Sequence, residues 1–314
     1  MSTRTSTATE TAPSPTVPEA RAARRSAPGT VGYLFIAPFM ISFTALFALP
    51  LVYAAYISLF KNRLIGGVTF VGLDNYIRAL NDPALREGVV RVGVFFVIQV
   101  PIMLALATFA ALAIDSGLLR LSKVFRLGIF LPYAVPAVVA TLMWGYLYGP
   151  SFGPFAQLAD KLSISAPDFL KEPWVLPSIA NIVTWEFVGY NMIILYAALR
   201  AISPDLYEAA AVDGAGAWRV AWSIKLPAIR RALGVCLIFS VIGAFQLFSE
   251  PKLLQPLSPT VINGNYTPNL YAYTLSFTSQ DTNYAAAVSF LLGLVIVIVS
   301  YAIIISGNRR SDRG

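Results

Sequence analysis

Histidine is absent from this 314-residue chain, cysteine occurs once, at Cys236, and Asp, Glu, Lys and Arg together make up only 12% of it. The first two absences remove the usual ligands for zinc, haem and iron–sulfur clusters and leave no disulfide framework. The shortage of charge excludes more, because a soluble domain of this length carries about twice that fraction. With 57% hydrophobic residues and a mean hydropathy of +0.67, there is too little polar surface to face water on all sides. The chain reads as an all-α polytopic membrane protein. A net charge of +7 raises the question of nucleic acid, but the cations sit in short clusters between apolar runs and not along one face, so no nucleic-acid partner is expected.

What is present is a series of long apolar runs. Residues 1–30, rich in Ser, Thr, Ala and Pro, read as a disordered cytoplasmic tail. Val31 to Phe60 is too long for a signal-peptide core and is taken as a span, with a kink expected at Pro38 or Pro50. Five further spans are expected over Gly88 to Ile114, Leu127 to Gly149, Leu176 to Ala201, Ala232 to Leu254 and Tyr284 to Ser306. The transmembrane domain is thus 31–306, with 307–314 a cytoplasmic C-terminal tail. Lys and Arg resist translocation. Placing both termini inside collects Arg21, Arg24 and Arg25, then Arg120, Lys123 and Arg126, then the basic residues from Arg200 to Arg231, and finally Arg309, Arg310 and Arg313 on the cytoplasmic side.

The segment between the fourth and fifth spans is too patterned for a connector. Ser203-Pro204-Asp205 reads as an N-cap, a proline at the first helical position and an acidic first turn. The helix continues through Glu208 and three alanines and stops at Asp213-Gly214, since Gly accepts the left-handed backbone of a helix end. A second short helix is expected from Trp218 to Lys225, ending at Leu226-Pro227. The pair forms a cytoplasmic knob in which small alanines permit close approach and Glu208 offers a carboxylate to a cationic partner. A helix pair lying on lipid is the alternative from physics alone.

Glu208-Ala209-Ala210, three residues, Gly214, nine residues, Ile224, one residue and Leu226-Pro227 resemble the "EAA" loop of the permease subunits of binding-protein-dependent ABC importers. Tyr207 to Ala215, Val71 to Tyr76, Leu131 to Pro136 and Asn283 to Ser289 are similar to the sugar-importing branch, the maltose and glycerol-phosphate type. The resemblance covers about Val31 to Ser306 and implies a type I importer fold. In that family the loop over 202–227 couples to a cytoplasmic ATPase, which assigns Glu208, Ala209, Ala210, Asp213 and Gly214 to that contact. Matching through Leu131 to Pro136, Gly189-Tyr190 and Leu226-Pro227 puts Tyr133, Glu186, Tyr190, Ser240, Ala244 and Leu247 at sugar-lining positions. Ala244 and Leu247 depart from the pattern, where the related site offers amides; the neighbouring Gln246 is a substitute the sequence leaves open.

The resemblance implies a carbohydrate substrate, a di- or oligosaccharide, and a bacterial or archaeal cell membrane. The implied partners are a second, homologous permease completing the pore, two ATPase subunits or domains, and an extracytoplasmic sugar-binding protein. The chain has no phosphate-binding Gly-rich loop. It is therefore expected to be no enzyme, with no catalytic residue, metal or cofactor of its own, ATP and Mg being bound by the partner ATPase. An ion-coupled secondary transporter is the competing class and would need titratable groups at mid-span. Glu186 is the candidate for that. Glu186 is also read as facing a polar cavity, whereas Glu250, near an outer helix end beside Lys252, suits a solvated or ion-paired structural role. Cys236 is read as inert packing, and Trp144, Tyr146 and Tyr148 as an interfacial aromatic belt.

Overall fold

The computed structural model describes residues 30–311 apart from 64, 118 and 166, so the expected N-terminal tail lies outside the described residues. The chain divides into two units at Leu51. In the first, α1 (Thr30–Phe43) continues through a π-helical turn, Thr44–Ala48, toward α2 (Leu49–Ser58). Phe39, Phe43 and Phe47 stack at successive i,i+4 positions, with ring centroids 6.0 and 5.2 Å apart. The helix runs through Pro38, and the irregularity falls just before Pro50. In a regular helix a proline lacks the N–H owed to the carbonyl four residues back; a π turn bonds five residues apart and accommodates the ring.

The second unit begins within α2, at Val52, and continues with an antiparallel hairpin, β1 (Phe60–Arg63) on β2 (Gly67–Phe70), with Phe60 opposite Phe70. The turn needs positive φ at Gly66 and Gly67, which glycine adopts without a Cβ penalty. The amide of Asn75 on α3 (Asp74–Leu80) donates to the carbonyls of Ser58 and Phe60, each at 2.8 Å, and locks that helix to the start of the hairpin.

The long apolar run after it forms α4 (Pro83–Asp115), which carries Pro101 without breaking. The third hydrophobic run departs from the single span expected over Leu127 to Gly149. It makes α5 (Ser122–Phe130), a 3-10 turn at Leu131–Ala134, and α6 (Ala137–Leu147), with the two helices bent by 97°. Pro132 and Pro136 flank the bend. Each removes a donor, and Val135 is pushed to extended backbone by the proline after it. After α7 (Pro154–Lys161) comes α8 (Val175–Arg200).

The knob between the fourth and fifth runs begins with α9 (Pro204–Val212), where the Ser203 hydroxyl accepts from the Asp205 N–H. It ends in a Schellman motif. The Ala215 N–H donates to Ala210 O at 2.9 Å, the Gly214 N–H to Ala211 O at 3.1 Å, and Gly214 sits at φ +70°. The second helix does not stop at Leu226-Pro227 as expected. α10 (Ala217–Val220) passes through a π turn, Ala221–Lys225, directly into α11 (Leu226–Phe245). The wide turn again lies immediately before a Leu-Pro pair and takes up the ring that would otherwise end the helix.

The fifth hydrophobic run is also broken, between α11 and α12 (Ser249–Leu254). α13 (Pro268–Tyr273) and α14 (Thr282–Ser311) complete the unit. α14 continues five residues into the segment expected to be a tail, of which residues 312–314 lie outside the described part. Counting the bent α5–α6 pair as one, the described chain has six apolar helical segments able to cross a membrane. Its core is α4 against α8 and α11. Ala107 and Ala111 are fully buried there, so the helices approach closely and enclose Met192, Leu195, Leu199 and Cys236.

At the opposite end of α4, Asp82 ties three elements together. Its Oδ1 accepts from the Ala84 N–H at 2.9 Å, capping α4, while Oδ2 accepts from the hydroxyls of Tyr271 at 2.7 Å and Tyr284 at 2.6 Å. Arg78 lies 3.7 Å from the Tyr284 ring centroid and pairs with Asp281 at 3.0 Å. Burial raises the Asp82 pKa, but the bonds from Tyr284, Tyr271 and the backbone outweigh it and leave the carboxyl below its ordinary range. For Tyr271, burial first and then the Asp82 carboxylate push the phenol up to about 12.

Because folding lowers this carboxyl's pKa, its stabilisation is complete above the free aspartate value near 3.9 and drains away as pH falls toward the folded value. We expect Asp82→Asn to lower the detergent-solubilised unfolding midpoint at pH 7. The gap from wild type should stay constant down to about pH 5 and close in more acidic buffer. A gap that is unchanged between pH 7 and pH 3 would show that Asp82 acts through shape and not charge.

Candidate functional site

A cavity of about 440 Å³ opens between α4, α8, α11 and the two helix breaks. From α4 come Phe95, Gln99 and Met103, at i, i+4 and i+8 on one helix face. The α5–α6 bend supplies Tyr133 and Ala137, α8 supplies Phe187, Tyr190 and Asn191, and α11 supplies Phe239, Ser240 and Ala244. The α11–α12 break closes the wall with Gln246, Leu247, Phe248, Ser249 and Glu250. Among the described residues, no lysine or arginine lines it.

The aromatic side of the wall is built by one close approach. A Cβ at Gly189 would run into the Ile129 carbonyl and lie 2.7 Å from the Phe130 Cα, so only glycine lets α8 lie against the end of α5. That contact brings the Tyr133 ring over Tyr190, stacked at 4.9 Å, with Phe187 edge-on to Tyr133 at 5.9 Å. The polar side is made of amides and a hydroxyl. Gln99 donates to Thr184 Oγ1 at 3.2 Å. Asn191 donates to the Phe187 carbonyl at 3.0 Å, and its buried Oδ1 has no partner among the described residues. Ser240 Oγ donates to the carbonyl one turn back, leaving its lone pairs for a donor from the cavity. An aromatic wall with convergent amide, hydroxyl and carboxyl groups can stack a ring and bond its substituents.

Of the six residues assigned to a sugar site, Tyr133, Tyr190, Ser240, Ala244 and Leu247 line this cavity. Glu186 does not. It is buried on α8, with Oε2 lacking a partner among the described residues. Glu250 is 7% exposed and lines the cavity. Lys252, expected beside it, turns instead to Gln255 and the Tyr273 ring. Gln246 also stands on the wall, next to the Leu247 that departs from the pattern. Gln99 and Asn191 escaped the sequence reading, although a lone amide inside an apolar run costs enough in lipid to be a signal in itself.

The aromatic belt expected at the outer end of the third run is mostly not a lipid-facing one. Tyr148 is 4% exposed and accepts from Asn181 Nδ2 at 2.8 Å, and Trp144 packs edge-on against Trp185 at 5.8 Å. Only Tyr146 of the three is exposed. On the knob, Glu208, Ala209, Asp213 and Gly214 are exposed, and Ala210 turns inward.

The family described as "Binding-protein-dependent transport system inner membrane component" matches residues 103–313. The lactose transport system permease protein LacF of Rhizobium radiobacter is 31% identical over 273 residues, covering 86% of this chain and 91% of that protein. The arabinooligosaccharides transport system permease protein AraP of Bacillus subtilis is 30% identical over 275 residues, covering 85% of each. Among solved structures, a bacterial ABC transporter involved in the import of the acidic polysaccharide alginate superposes with a TM-score of 0.79 at 20% identity, over 89% of this chain and 95% of that one.

The glycine contact yields a test of how the wall is built. Gly189→Ala forces α8 away from α5 and should cost about 1–3 kcal/mol, as overpacking does. Gly243→Ala, on the cavity wall with open space where its Cβ would go, should change the unfolding midpoint little. Equal midpoints for the two variants would mean that the close approach does not hold the bend in place.

Proposed function

The chain belongs to the binding-protein-dependent transport system inner membrane components, the transport subunits and not the enzymes of such systems, and we propose that it carries an uncharged di- or oligosaccharide through the cavity at Tyr133 and Tyr190. The observation that supports this most is the stacked tyrosine wall facing amides, a hydroxyl and a carboxyl across one space. Sugars offer apolar ring faces and a rim of hydroxyls, and this is the lining that satisfies both. That lactose and arabinooligosaccharide permeases are among the relatives agrees with it.

In this reading a second permease of the same kind completes the pore, and both termini and the α9 knob face the cytoplasm. Two ATPase subunits, which hold ATP and Mg, dock on the knob through Glu208, Ala209, Ala210, Asp213 and Gly214. An extracytoplasmic binding protein delivers the sugar. ATP binding draws the ATPases together, and the knob passes that motion to α11, with which it is continuous through the π turn. The cavity then exchanges access between the two sides. Glu186 was the residue that would have suited ion coupling, and it does not line the cavity.

The test is uptake by the assembled complex in proteoliposomes. Sugar accumulation should require ATP and the binding protein and should ignore ionophores. Tyr190→Ala and Gln246→Ala should each lower uptake about tenfold to hundredfold, the worth of a lost stacking or hydrogen-bonding contact of 1–3 kcal/mol, while leaving assembly and basal ATP hydrolysis intact. Accumulation that collapses with an ion gradient but persists without ATP would overturn the proposal.

A further inference from the structure

The cytoplasmic end of α4 carries a buried ion pair for which the pore function gives no reason. Lys225 Nζ lies 2.6 Å from Asp115 Oδ2, and the two side chains are 13% and 7% exposed. Asp115 is the last residue of α4, and Lys225 is the last of the π turn that leads into α11. The Tyr207 ring lies on the same lysine, 5.5 Å from Nζ, within cation–π range. Tyr207 is the neighbour of Glu208 on α9, and its buried hydroxyl has no partner among the described residues. Burial, and then the charge of Asp115, raise this phenol above its ordinary range, and it is the ring that faces the lysine. Ile114, the residue before Asp115, belongs to a buried apolar cluster with Leu199 and Ile229, and the burial of the two charges themselves limits their screening by water.

The pair joins α4 to the π turn before α11, and the Tyr207 ring brings α9, the docking helix of the knob, onto the same lysine. α4 runs unbroken from Asp115 to the cavity, where Gln99 stands about 24 Å along the same helix at 1.5 Å per residue. Resting on the functional reading above, we propose that the Asp115–Lys225 pair, covered by Tyr207, is the joint through which displacement of the docking helix moves α4, so that ATPase closure is felt at the Gln99 side of the cavity. Asp115, Lys225 and Tyr207 are thus positioning residues. A buried charge pair suits such a joint because it resists separation and fixes one geometry, whereas an apolar contact of the same size would let the elements slide.

Removing one partner alone leaves an uncompensated buried charge and risks misfolding. The test therefore uses the neutral double variant Asp115→Leu/Lys225→Met, the exchanged pair Asp115→Lys/Lys225→Asp, and Tyr207→Phe, each in the complete complex in proteoliposomes. The readout is sugar transported per ATP hydrolysed under stimulation by the loaded binding protein. The neutral pair should assemble and hydrolyse ATP, but its transport ratio should fall about tenfold, an ordinary size for a coupling free energy. The exchanged pair should recover most of the ratio, and Tyr207→Phe, which keeps the ring, should match wild type. A neutral pair with the wild-type ratio would overturn the joint while leaving the functional reading in place. A wild-type complex with no ATP-dependent uptake would overturn both.

Discussion

A backbone amide or carbonyl inside a bilayer has no water to bond, and every interruption of a helix there must be covered by protein. This chain interrupts its apolar runs at 131–136 and at 246–248. The second break frees carbonyls at the end of α11, and two side chains at the N-terminus of α13, its cap Thr267 and Asn269 in its first turn, take them up. Asn269 Nδ2 donates to Phe245 O at 3.2 Å, and Thr267 Oγ1 donates to Leu247 O at 2.9 Å while also accepting from the Leu270 N–H. The first break is covered by α8, which can come close enough because residue 189 is glycine. Both breaks sit on the wall of the same cavity. Irregular backbone is tolerated at membrane depth where it is buried in protein or lines a cavity, and here it does both.

Polar side chains are distributed by the same rule. Gln99, Asn191, Ser240, Gln246 and Glu250 converge on the cavity, while Val97, Ile98 and Phe109 on α4 remain exposed on the face turned away from the core. Charge is concentrated at the ends of the helices, in the Asp82 cluster at one end of α4 and the Asp115–Lys225 pair at the other. α4 is thus pinned at both ends by charged groups, with an amide facing the cavity between them. The composition is therefore not merely apolar. The few polar groups stand where the helices break, join or face the cavity.

Much of this was legible in the sequence. Hydropathy located the apolar runs to within a few residues at most ends, because span length is set by the bilayer and not by subtle propensities. The α9 helix was readable from its caps, since Ser203, Pro204 and Gly214 each have a local steric or hydrogen-bonding reason to be there. The bend at 131–136 was not. A proline pair announces a kink but not its angle, which depends on how closely α8 can approach, and that depends on a glycine some fifty residues later. The π turn at Ala221–Lys225 was hidden because the Leu226-Pro227 pair after it reads as a stop, whereas the chain widens by one residue and continues as helix. At the cavity, Gln99 and Asn191 lay in runs whose apolar residues surround the helix, so periodicity could not say which face they occupied. Glu186 looked like a cavity residue because it stands one turn before Tyr190, but the α8 wall is made by Val183, Phe187, Tyr190 and Asn191, and Glu186 between them is buried without lining the cavity.

The claim on which the rest stands is that the space between the two helix breaks holds the transported sugar. A structure of the complete complex, trapped with ATP bound by a variant ATPase that cannot hydrolyse it and supplied with the loaded binding protein, would test it most directly. Density for a sugar ring stacked on the Tyr133–Tyr190 wall, with hydroxyls reaching Gln246 or Glu250, is the result predicted. Sugar density elsewhere in the pore, with this cavity closed by its own side chains, would contradict it.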